Sequence, residues 1–342
     1  MAGLAGSKPL PPPPAQLDTA PHVLGTAGHG GLALHRLKGR DADGIVTEMH
    51  ALVGDPPPSV PRFPGPNPVS LERAHLPTLR PDRYWICEKT DGTRCAMLCV
   101  TYRGHRLVVL LDRKLTAYVL PLRRVPKALF QGTVLDGELA FDKVSNQHQF
   151  MVFDAVMVSG IPVFHKPFSY RLADVRLALR DYRPDAGDGV GVRVKGFDSL
   201  ARLPEFVGRL DAIRRHFDID GVVLTPEDGH VAFGRNMRMF KLKAFGGRAA
   251  HTVDFLAAEE GGLSVFDAGR HVVVGKIAAD WMSSCVPPAP GSVVECTCAE
   301  DGTWVPVCIR TDKKTANDLF TYQKTLLNIQ EALALEDLAR IL

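Results

Sequence analysis

The chain has 342 residues, of which 45% are hydrophobic and 23% charged, a balance typical of a globular protein with a substantial core and not of a disordered or fibrous one. The formal net charge is only +3, so any affinity for nucleic acid must come from a local basic cleft. Seven cysteines without framework spacing, no N-terminal apolar segment and no apolar run approaching about 18 residues argue against a secreted or membrane protein and predict a cytosolic or nuclear one.

Residues 1–55 are predicted to be a Pro/Gly-rich and poorly ordered N-terminal segment. Pro9 and the run from Pro11 to Pro14 favour an extended tail up to Gln16. Within the remainder, the pattern over 41–53 predicts one amphipathic helix, which ends before the proline cluster at 56–58. The sequence assigns no function to this segment.

Short β-branched and aromatic runs separated by turn residues begin after residue 71 and predict a sheet-rich body. Predicted strands cover 84–87, 95–102, 107–111, 133–141 and 149–158, and predicted helices cover 169–181 and 203–217. Further strands at 252–258, 271–277, 292–298 and 304–309 suit a small barrel of the OB type, followed by helical packing over 317–342. The predicted fold class is therefore α+β with antiparallel sheets, divided into domains at 56–250 and 251–342.

The strongest local signal is the hexapeptide K-T-D-G-T-R at 89–94, at the end of a predicted strand. Alternation places Trp85, Cys87 and Lys89 on one face of that strand, and the Asp-Gly turn ends it just beyond the lysine. A lysine is a nucleophile only when its amine is unprotonated, which requires burial or neighbouring cations. By itself the pattern K-x-D-G is weak evidence, because it occurs by chance in many proteins.

Neighbouring cations are supplied by the segment R-M-F-K-L-K at 238–243. A period of two puts Lys241 and Lys243 on one face of a strand, while Phe240 and Leu242 face the core. Two lysines on one face repel each other unless an anion lies between them, and a nucleotide phosphate fits that need. The alternative is a solvated edge strand whose lysines discourage aggregation.

Carboxylates occur in the segments L-D-G-E-L at 135–139 and D-G-V-V-L-T-P at 220–226. Asp136 and Glu138 alternate onto one strand face, where paired acids suit a divalent metal held together with nucleotide phosphates. Asp220 precedes a buried strand. The alternatives are a hairpin turn at the first Asp-Gly dipeptide and an ordinary turn-to-strand junction at the second.

Taken in order, these segments resemble the motif series of the covalent nucleotidyltransferase superfamily, which contains ATP- and NAD-dependent ligases and mRNA-capping enzymes. Segments 89–94, 135–139, 150–155, 220–223 and 240–243 are similar to its motifs I, III, IIIa, IV and V. Other segments are similar to the capping branch in particular: F-P-G-P-N-P-V-S-L at 63–71, L-D-R-K at 111–114, H-T-V-D-F at 251–255 and R-T-D-K at 310–313. The resemblance covers 63–317 and implies a nucleotidyltransferase domain over 56–250 and an OB-fold domain, with a C-terminal helical segment, over 251–342.

The resemblance implies an mRNA guanylyltransferase that transfers GMP from GTP to the 5′-diphosphate end of RNA and so forms a GpppN cap. Lys89 would be the nucleophile that carries GMP as a phosphoramidate. The nucleotide-binding residues that it implies are Arg94 and Arg113 for sugar and phosphate, Glu138 for ribose or metal, Phe153 and Val223 for the two faces of guanine, Lys195 for the guanine carbonyl, Lys241 and Lys243 for the α-phosphate, and Arg310, Asp312 and Lys313 for the β- and γ-phosphates when the second domain closes.

A divalent metal ion, Mg²⁺ or Mn²⁺, is also implied by the resemblance, with Glu138 and Asp220 as its protein ligands. The implied partners are GTP and 5′-diphosphate RNA. Because no H-C-x₅-R phosphatase loop is present, a separate RNA 5′-triphosphatase is expected, and the C-terminal tail of RNA polymerase II is a further candidate. Nuclear localisation is inferred only from where capping occurs, since no basic localisation run supports it.

Two alternative functions share much of this pattern. An ATP-dependent polynucleotide ligase would charge the same lysine with AMP, but Lys195 and the segments at 251–255 and 310–313 favour capping. A catalytically inactive RNA-binding relative would keep the fold, yet every charged position expected to act is present. One departure from the capping pattern is the stretch at 244–250, which is less polar and richer in glycine.

Overall fold

The computed structural model describes residues 17–18, 20–24, 31–54, 62–185, 187–231, 233–245, 247, 251–311 and 313–342, so the tail predicted for residues 1–16 lies outside the described residues. The chain divides into two compact units. The first comprises Met1–Val69, Asp82–Ile219 and Val223–Met239, and the second comprises Ser70–Pro81, Asp220–Val222 and Phe240–Leu342. Each unit has its own hydrophobic core.

Strands up to residue 242 are β1 (His22–Leu24), β2 (Leu32–Arg36), β3 (Pro66–Ser70), β4 (Tyr84–Thr90), β5 (Thr93–Tyr102), β6 (His105–Asp112), β7 (Ala117–Val119), β8 (Gln131–Asp142), β9 (Gln147–Val158), β10 (Ile161–Pro162), β11 (Val190–Val194), β12 (Asp198–Ser199), β13 (Ile219–Pro226) and β14 (Gly234–Leu242). They form a nine-stranded sheet in the order β1-β2-β7-β6-β5-β8-β9-β10, with β11 beside β9, and a five-stranded sheet in the order β12-β4-β13-β14-β3. Pairing in the larger sheet is antiparallel apart from that of β11 with β9, which is parallel.

The chain passes from one sheet to the other immediately after β4. Strand β4 belongs to the smaller sheet and β5 to the larger one, and only Asp91 and Gly92 separate them. The Asp91 backbone N–H donates to the Asp218 carbonyl oxygen at 2.8 Å and fixes this crossing. Lys89, next to the end of β4, therefore lies where the two sheets diverge.

Helices α1 (Gly39–Val53), α2 (Phe168–Leu179) and α3 (Leu203–His216) complete the first unit. Apolar residues occur every fourth position of α1, so Ile45, Met49 and Val53 share the face that is buried against the larger sheet. Gly54, in the left-handed conformation at φ 78°, ends the helix. Residues 95, 97 and 99 of β5 enter one core cluster, with Val175 of α2, and residues 96, 98 and 100 enter the other, with α1. The centre of the larger sheet is thus apolar on both faces.

The described part of residues 1–55 is ordered, which corrects the prediction of a poorly ordered segment. Strand β1 pairs with β2, and β2 pairs with β7 of the larger sheet. Leu34 is 3% exposed, and Ile45 and Met49 are fully buried. Burial of these side chains stabilises a segment whose glycine and histidine content masked its alternating pattern. The helix predicted at 41–53 is confirmed and begins at Gly39.

The second unit contains strands β15 (Thr252–Ala257), β16 (Gly262–Asp267), β17 (Arg270–Lys276), β18 (Val293–Cys298) and β19 (Trp304–Ile309), and helices α4 (Ala279–Ser284), α5 (Leu319–Glu331) and α6 (Leu335–Ala339). The strands form an antiparallel sheet in the order β17-β16-β15-β18-β19. A bridge between Ile277 and Trp304 joins its two edges, where the Ala278 N–H donates to the Trp304 carbonyl at 2.9 Å. Rings of Phe255, Trp304 and Tyr322, with centroids 4.8 to 6.0 Å apart, fill its core.

The predicted fold class, α+β with mainly antiparallel sheets, is confirmed. Each strand predicted from the sequence overlaps an observed one. Strands without a predicted counterpart include β1, β2, β3, β7 and β11. In the second unit β16 was missed because Gly262, Ser264 and Asp267 interrupt its apolar pattern. All seven cysteines lie in the described part of the chain, and none of them forms a disulfide bond. Across the same part, no helix is both long and apolar enough to span a bilayer.

Candidate active site

Lys89 is half-buried near the end of β4, one residue before Thr90, so its predicted position at a strand end is confirmed. Gly92 is required by close packing in the crossing that follows. A Cβ atom at this position would lie 2.6 Å from the Leu139 carbonyl oxygen and 2.8 Å from Glu138 Cγ. The glycine therefore lets the turn after Lys89 lie directly against the Glu138 side chain.

Glu138 is a half-buried carboxylate with cations on several sides. Burial raises its pKa to about 7, against the opposing fields of Lys195, Lys89 and Arg94, while Asp136 adds to the increase. These three cations come from three different strands or strand ends, and all were predicted site residues. The structure brings them together around one carboxylate of the first unit.

Lys195 is only 4% exposed and directly follows β11. Its backbone N–H donates to the Val152 carbonyl at 2.7 Å, and its Nζ donates to the Glu88 carbonyl at 2.9 Å and lies 3.5 Å from Glu88 Oε1. Burial opposes its charge, but Glu88 and Glu138 outweigh this effect and hold the pKa of Lys195 above its ordinary value. No local pattern in the sequence indicated this role for Glu88, although it directly precedes Lys89.

Arg94 is held by a buried carboxylate. Its Nε and Nη2 donate to Asp136 Oδ1 and Oδ2 at 3.0 and 2.5 Å, and Nη2 also donates to the Pro66 carbonyl at 2.8 Å. Asp136 was interpreted from the sequence as one of two metal-binding carboxylates with Glu138. In the structure both oxygens of Asp136 accept hydrogen bonds from Arg94, so this carboxylate holds the guanidinium.

Predicted nucleotide-binding residues gather around the same guanidinium. Arg94 lies over the rings of Phe63 and Phe153, 5.0 and 5.5 Å from their centroids. The Asn67 side-chain oxygen accepts from Arg94 Nη1 at 3.2 Å and from Arg113 Nη2 at 3.3 Å. Phe63 and Asn67 belong to the segment 63–71, whose resemblance was recognised but whose side chains were given no role.

Val223 is half-buried in β13. Its backbone forms a hydrogen bond with the thiol of Cys87, and burial raises the pKa of that thiol to about 12. Cys87, which was predicted to share a face with Lys89, is therefore a neutral packing residue and contributes no thiolate to the site.

In the second unit, Lys241 and Lys243 are half-buried while Phe240 and Leu242 are buried, which confirms the predicted alternation. A Cβ atom on Gly221 would lie 1.9 Å from the Leu242 carbonyl oxygen, so glycine is needed where β13 approaches this segment. A cavity of about 150 Å³ adjoins both lysines. Its other lining residues are Ser70, Leu71, Leu242, His251, Thr252, Thr321, Thr325, Asn328 and Leu333.

Asp220, the predicted metal ligand of the second unit, lies within electrostatic range of His251. Burial lowers the pKa of His251, Lys243 lowers it further, and Asp220 opposes them. The Asp220 carbonyl oxygen also accepts from the Phe245 N–H at 3.4 Å. The second unit thus places an acid and a lysine of two predicted motifs beside one histidine.

The R-T-D-K segment is part of an ion-pair network within the second unit. Arg310 Nη1 donates to Asp254 Oδ1 at 3.1 Å and to Glu295 Oε2 at 3.2 Å, and Lys313 donates to Asp254 Oδ2. Asp312, the third residue predicted to bind the β- and γ-phosphates, lies outside the described residues. Arg310 and Lys313, two of the cations predicted to bind phosphate, therefore share Asp254 as an ion-pair partner. Glu295, which the sequence did not indicate, is a further partner of Arg310.

Two family models match the chain. The model described as mRNA capping enzyme, catalytic domain, matches residues 36–245, and the model described as mRNA capping enzyme, C-terminal domain, matches residues 232–339. The chain belongs to the mRNA capping enzyme family. The cluster around Glu138 lies within the catalytic-domain match, and the network of Arg310 and Lys313 lies within the C-terminal match.

Curated relatives carry the same family name. The mRNA-capping enzyme subunit alpha of Schizosaccharomyces pombe is 26% identical over 344 residues, which cover 86% of this chain and 83% of the relative. The protein of the same name from Neurospora crassa is 25% identical over 338 residues, which cover 81% and 83%. A solved structure of mycobacterial DNA ligase D complexed with ATP and MES is 14% identical with a TM-score of 0.39 over 74% of this chain and 95% of that one, a likeness too distant to support an inference.

Proposed function

We propose that this member of the capping enzyme family is an mRNA guanylyltransferase, which transfers GMP from GTP to the 5′-diphosphate end of RNA through a covalent adduct on Lys89. The observation that carries the proposal is the grouping of Lys89, Lys195 and Arg94 around Glu138. This grouping lies within the region that matches the catalytic domain of the family. An amine nucleophile together with cations that neutralise phosphate charge is the set of groups that phosphoryl transfer through a lysine adduct requires.

The reaction has two substitutions at one phosphorus atom. In the first, the Lys89 amine attacks the α-phosphorus of GTP, a P–N bond forms as the nitrogen loses a proton to solvent, the bond to the bridging oxygen breaks, and pyrophosphate leaves with the electron pair. In the second, an oxygen of the RNA β-phosphate attacks the same phosphorus, the P–N bond breaks, and Lys89 regains a proton. The product is a GpppN cap.

Base recognition is assigned to the first unit. The raised pKa of Lys195 keeps its amine a charged hydrogen-bond donor, which suits the carbonyl of guanine and not the amino group of adenine. Phe153 and Val223, both half-buried, are proposed to contact the two faces of the base. Arg94 and Arg113, linked through Asn67, are proposed to bind sugar and phosphate.

Phosphate recognition is assigned to the cations of the second unit. Lys241 and Lys243 are proposed to bind the α-phosphate, and Arg310, Asp312 and Lys313 are proposed to act on the β- and γ-phosphates. The alternation of charged and buried residues along 240–243 supports the first assignment. Positive charge near the reacting phosphorus and the departing pyrophosphate stabilises the transition state of phosphoryl transfer.

A divalent metal ion, Mg²⁺ or Mn²⁺, is proposed as the cofactor, with Glu138 and Asp220 as ligands. Among the described residues no three His, Cys, Asp or Glu side chains come together as a metal site. Sparse carboxylate ligands fit a Mg²⁺-like ion that takes its remaining oxygens from substrate phosphates and water. When bound, such an ion neutralises charge on the phosphates. Glu138 would offer it a carboxylate whose neighbours include Lys89 and Lys195.

The second unit is proposed to be an OB fold. The antiparallel order β17-β16-β15-β18-β19 and the bridge between Ile277 and Trp304, which joins the two edges, support a closed barrel. The domain division proposed from the sequence, a nucleotidyltransferase domain over 56–250 and an OB-fold domain with its helical segment over 251–342, places β15 at the start of the second domain.

Relatives named as subunit alpha support a second subunit as a partner of this chain. We propose that this partner is an RNA 5′-triphosphatase, because 5′-diphosphate ends must be supplied to the second step. The C-terminal tail of RNA polymerase II is proposed as a further partner, and the nucleus as the location. Affinity purification of the tagged chain from nuclei tests these three proposals together.

The covalent adduct provides the decisive test of the activity. The purified chain is incubated with Mg²⁺ or Mn²⁺ and with α-labelled GTP or ATP, and the label is followed through denaturing electrophoresis. GTP should label the wild-type chain and the matched control Lys127→Arg, an exposed lysine, but not Lys89→Arg. Label from ATP alone would support a polynucleotide ligase, and RNA binding without any label would support an inactive relative. Label on Lys89→Arg would overturn the mechanism.

A further inference from the structure

Asp254 holds both described cations of the R-T-D-K segment. Its Oδ1 accepts from Arg310 at 3.1 Å, its Oδ2 accepts from Lys313, and its side chain is only 7% exposed. Its backbone is fixed as well, because the Asp254 N–H donates to Asn317 Oδ1 at 2.9 Å and the Asn317 N–H donates to the Asp254 carbonyl at 2.7 Å. A buried carboxylate with this support cannot leave its partners without a large desolvation cost.

Glu295 is a second carboxylate on Arg310, and it is more exposed. Its Oε2 lies 3.2 Å from Arg310 Nη1, and its side chain is 24% exposed. Thr252 Oγ1 donates to Oε1 at 2.6 Å, and the thiol of Cys308 donates to Oε2 at 3.7 Å. Although burial opposes it, Thr252 and Arg310 hold the pKa of Glu295 below its ordinary value, so this carboxylate is ionised at neutral pH.

The network formally contains two carboxylates and two cations, so it has no net charge. A phosphate that binds Arg310 through Nη1 therefore competes with a carboxylate already on that nitrogen. Asp254 cannot yield easily, since it is buried and also bonded to Lys313. Glu295 can yield, because it is partly exposed and Thr252 still holds its other oxygen.

We infer that Glu295 is an internal substitute for a substrate phosphate, which occupies Arg310 Nη1 until a nucleotide displaces it and returns when pyrophosphate leaves, whereas Asp254 positions Arg310 and Lys313 throughout. This inference rests on the proposed role of these cations in binding the β- and γ-phosphates of GTP. Competition from Glu295 weakens the binding of GTP and pyrophosphate equally and hastens product release.

Two near-isosteric substitutions test this division, because their effects should have opposite signs. Glu295→Gln removes the competing charge, so the KM for GTP in adduct formation should fall about threefold to tenfold and inhibition by pyrophosphate should strengthen by a similar factor. Asp254→Asn releases both cations from their fixed geometry, so the rate of adduct formation should fall roughly tenfold or more. Glu295→Asp, which keeps the charge, should lie nearer to the wild type than Glu295→Gln does.

The matched control is Glu259→Gln, which removes one negative charge from an exposed position of the same unit and should leave the KM unchanged. A rise in KM for both Glu295→Gln and Asp254→Asn would overturn the inference and assign the two carboxylates one structural role. Failure of GTP to label the wild type would overturn the proposed function instead. In that case calorimetric titration of the full chain with pyrophosphate decides the inference, and equal affinities of wild type and Glu295→Gln would overturn it.

Discussion

Arg94 and Asp136 form a bidentate ion pair in which Nε and Nη2 donate to the two carboxylate oxygens at 3.0 and 2.5 Å. The Asp136 side chain is completely buried and that of Arg94 is 13% exposed. Planar geometry at both ends fixes the orientation of the guanidinium, which lies over the rings of Phe63 and Phe153. Asp136 is therefore a positioning residue for a proposed nucleotide contact.

Replacing Asp136 with Asn should destabilise the chain by about 3 kcal/mol, because Arg94 is left with an uncompensated charge in a buried site. The free energy of unfolding in urea measures this effect, and adduct formation should decrease with it. The matched control is Asp211→Asn, whose carboxylate is 93% exposed in a pair with Arg214 and should contribute less than about 1 kcal/mol. Equal effects of the two substitutions would contradict the role given to Asp136.

Replacing Lys195 with Met should reduce discrimination between GTP and ATP. Loss of the donor from a buried site should lower the efficiency of labelling by GTP roughly tenfold or more, while labelling by ATP should change little. The ratio of adduct formed from the two nucleotides is the measurement. Lys143→Met, which removes a partly exposed amine paired with Asp218, should leave the ratio unchanged. An unaltered ratio in Lys195→Met would remove the proposed role in base recognition.

The pKa of Glu138 predicts a specific pH dependence of stability. Its folded-state pKa is about 7 and its ordinary value is 4.5, so the folded chain binds more protons than the unfolded chain between these pH values. The stability contributed by this group is complete below 4.5 and is lost as the pH rises through about 7. Urea unfolding should show that Glu138→Gln lacks this decline. If the free energy of unfolding depended on pH in the same way in the wild type and in Glu138→Gln, the raised pKa assigned to Glu138 would be refuted.

Two glycines should respond to alanine with opposite signs. At Gly221 the added Cβ would lie 1.9 Å from the Leu242 carbonyl oxygen, so Gly221→Ala should destabilise the chain by at least about 2 kcal/mol. Gly208 lies inside α3 with open space around it, so Gly208→Ala should stabilise the chain by up to about 1 kcal/mol. Thermal unfolding compares the two. A stabilising effect at Gly221 would show that the approach of β13 to this segment is not close.

Local sequence patterns predicted where Lys89, Lys241 and Lys243 lie on their strands, because these positions depend only on strand geometry. Alternation over 240–243 separated Lys241 and Lys243 from their buried neighbours, and the Asp-Gly turn placed Lys89 at a strand end. The order of the motifs also identified the family and the fold class.

Partners of these cations were not predictable, because they come from distant parts of the chain. Arg94 is 42 residues from Asp136, and Lys195 is 107 residues from Glu88. The register of β5 on β8, which sets Arg94 opposite Glu138, follows from sheet pairing and not from any local pattern. Glu295 was missed for the same reason, since the pairing of β18 with β15 brings it beside Thr252 and the pairing of β18 with β19 brings it beside Arg310.

The parallel pairing of β11 with β9 has a consequence for altering nucleotide preference by design. Val194 is paired with Val152, and the next N–H, that of Lys195, donates to the same residue, which is adjacent to Phe153. Lys195, whose amine is proposed to contact the edge of the base, and Phe153, whose ring is proposed to cover its face, thus lie at adjacent positions of one strand pair. Because strand pairing fixes the spacing of these two positions, a change of nucleotide preference is expected to need new side chains there and not a new backbone.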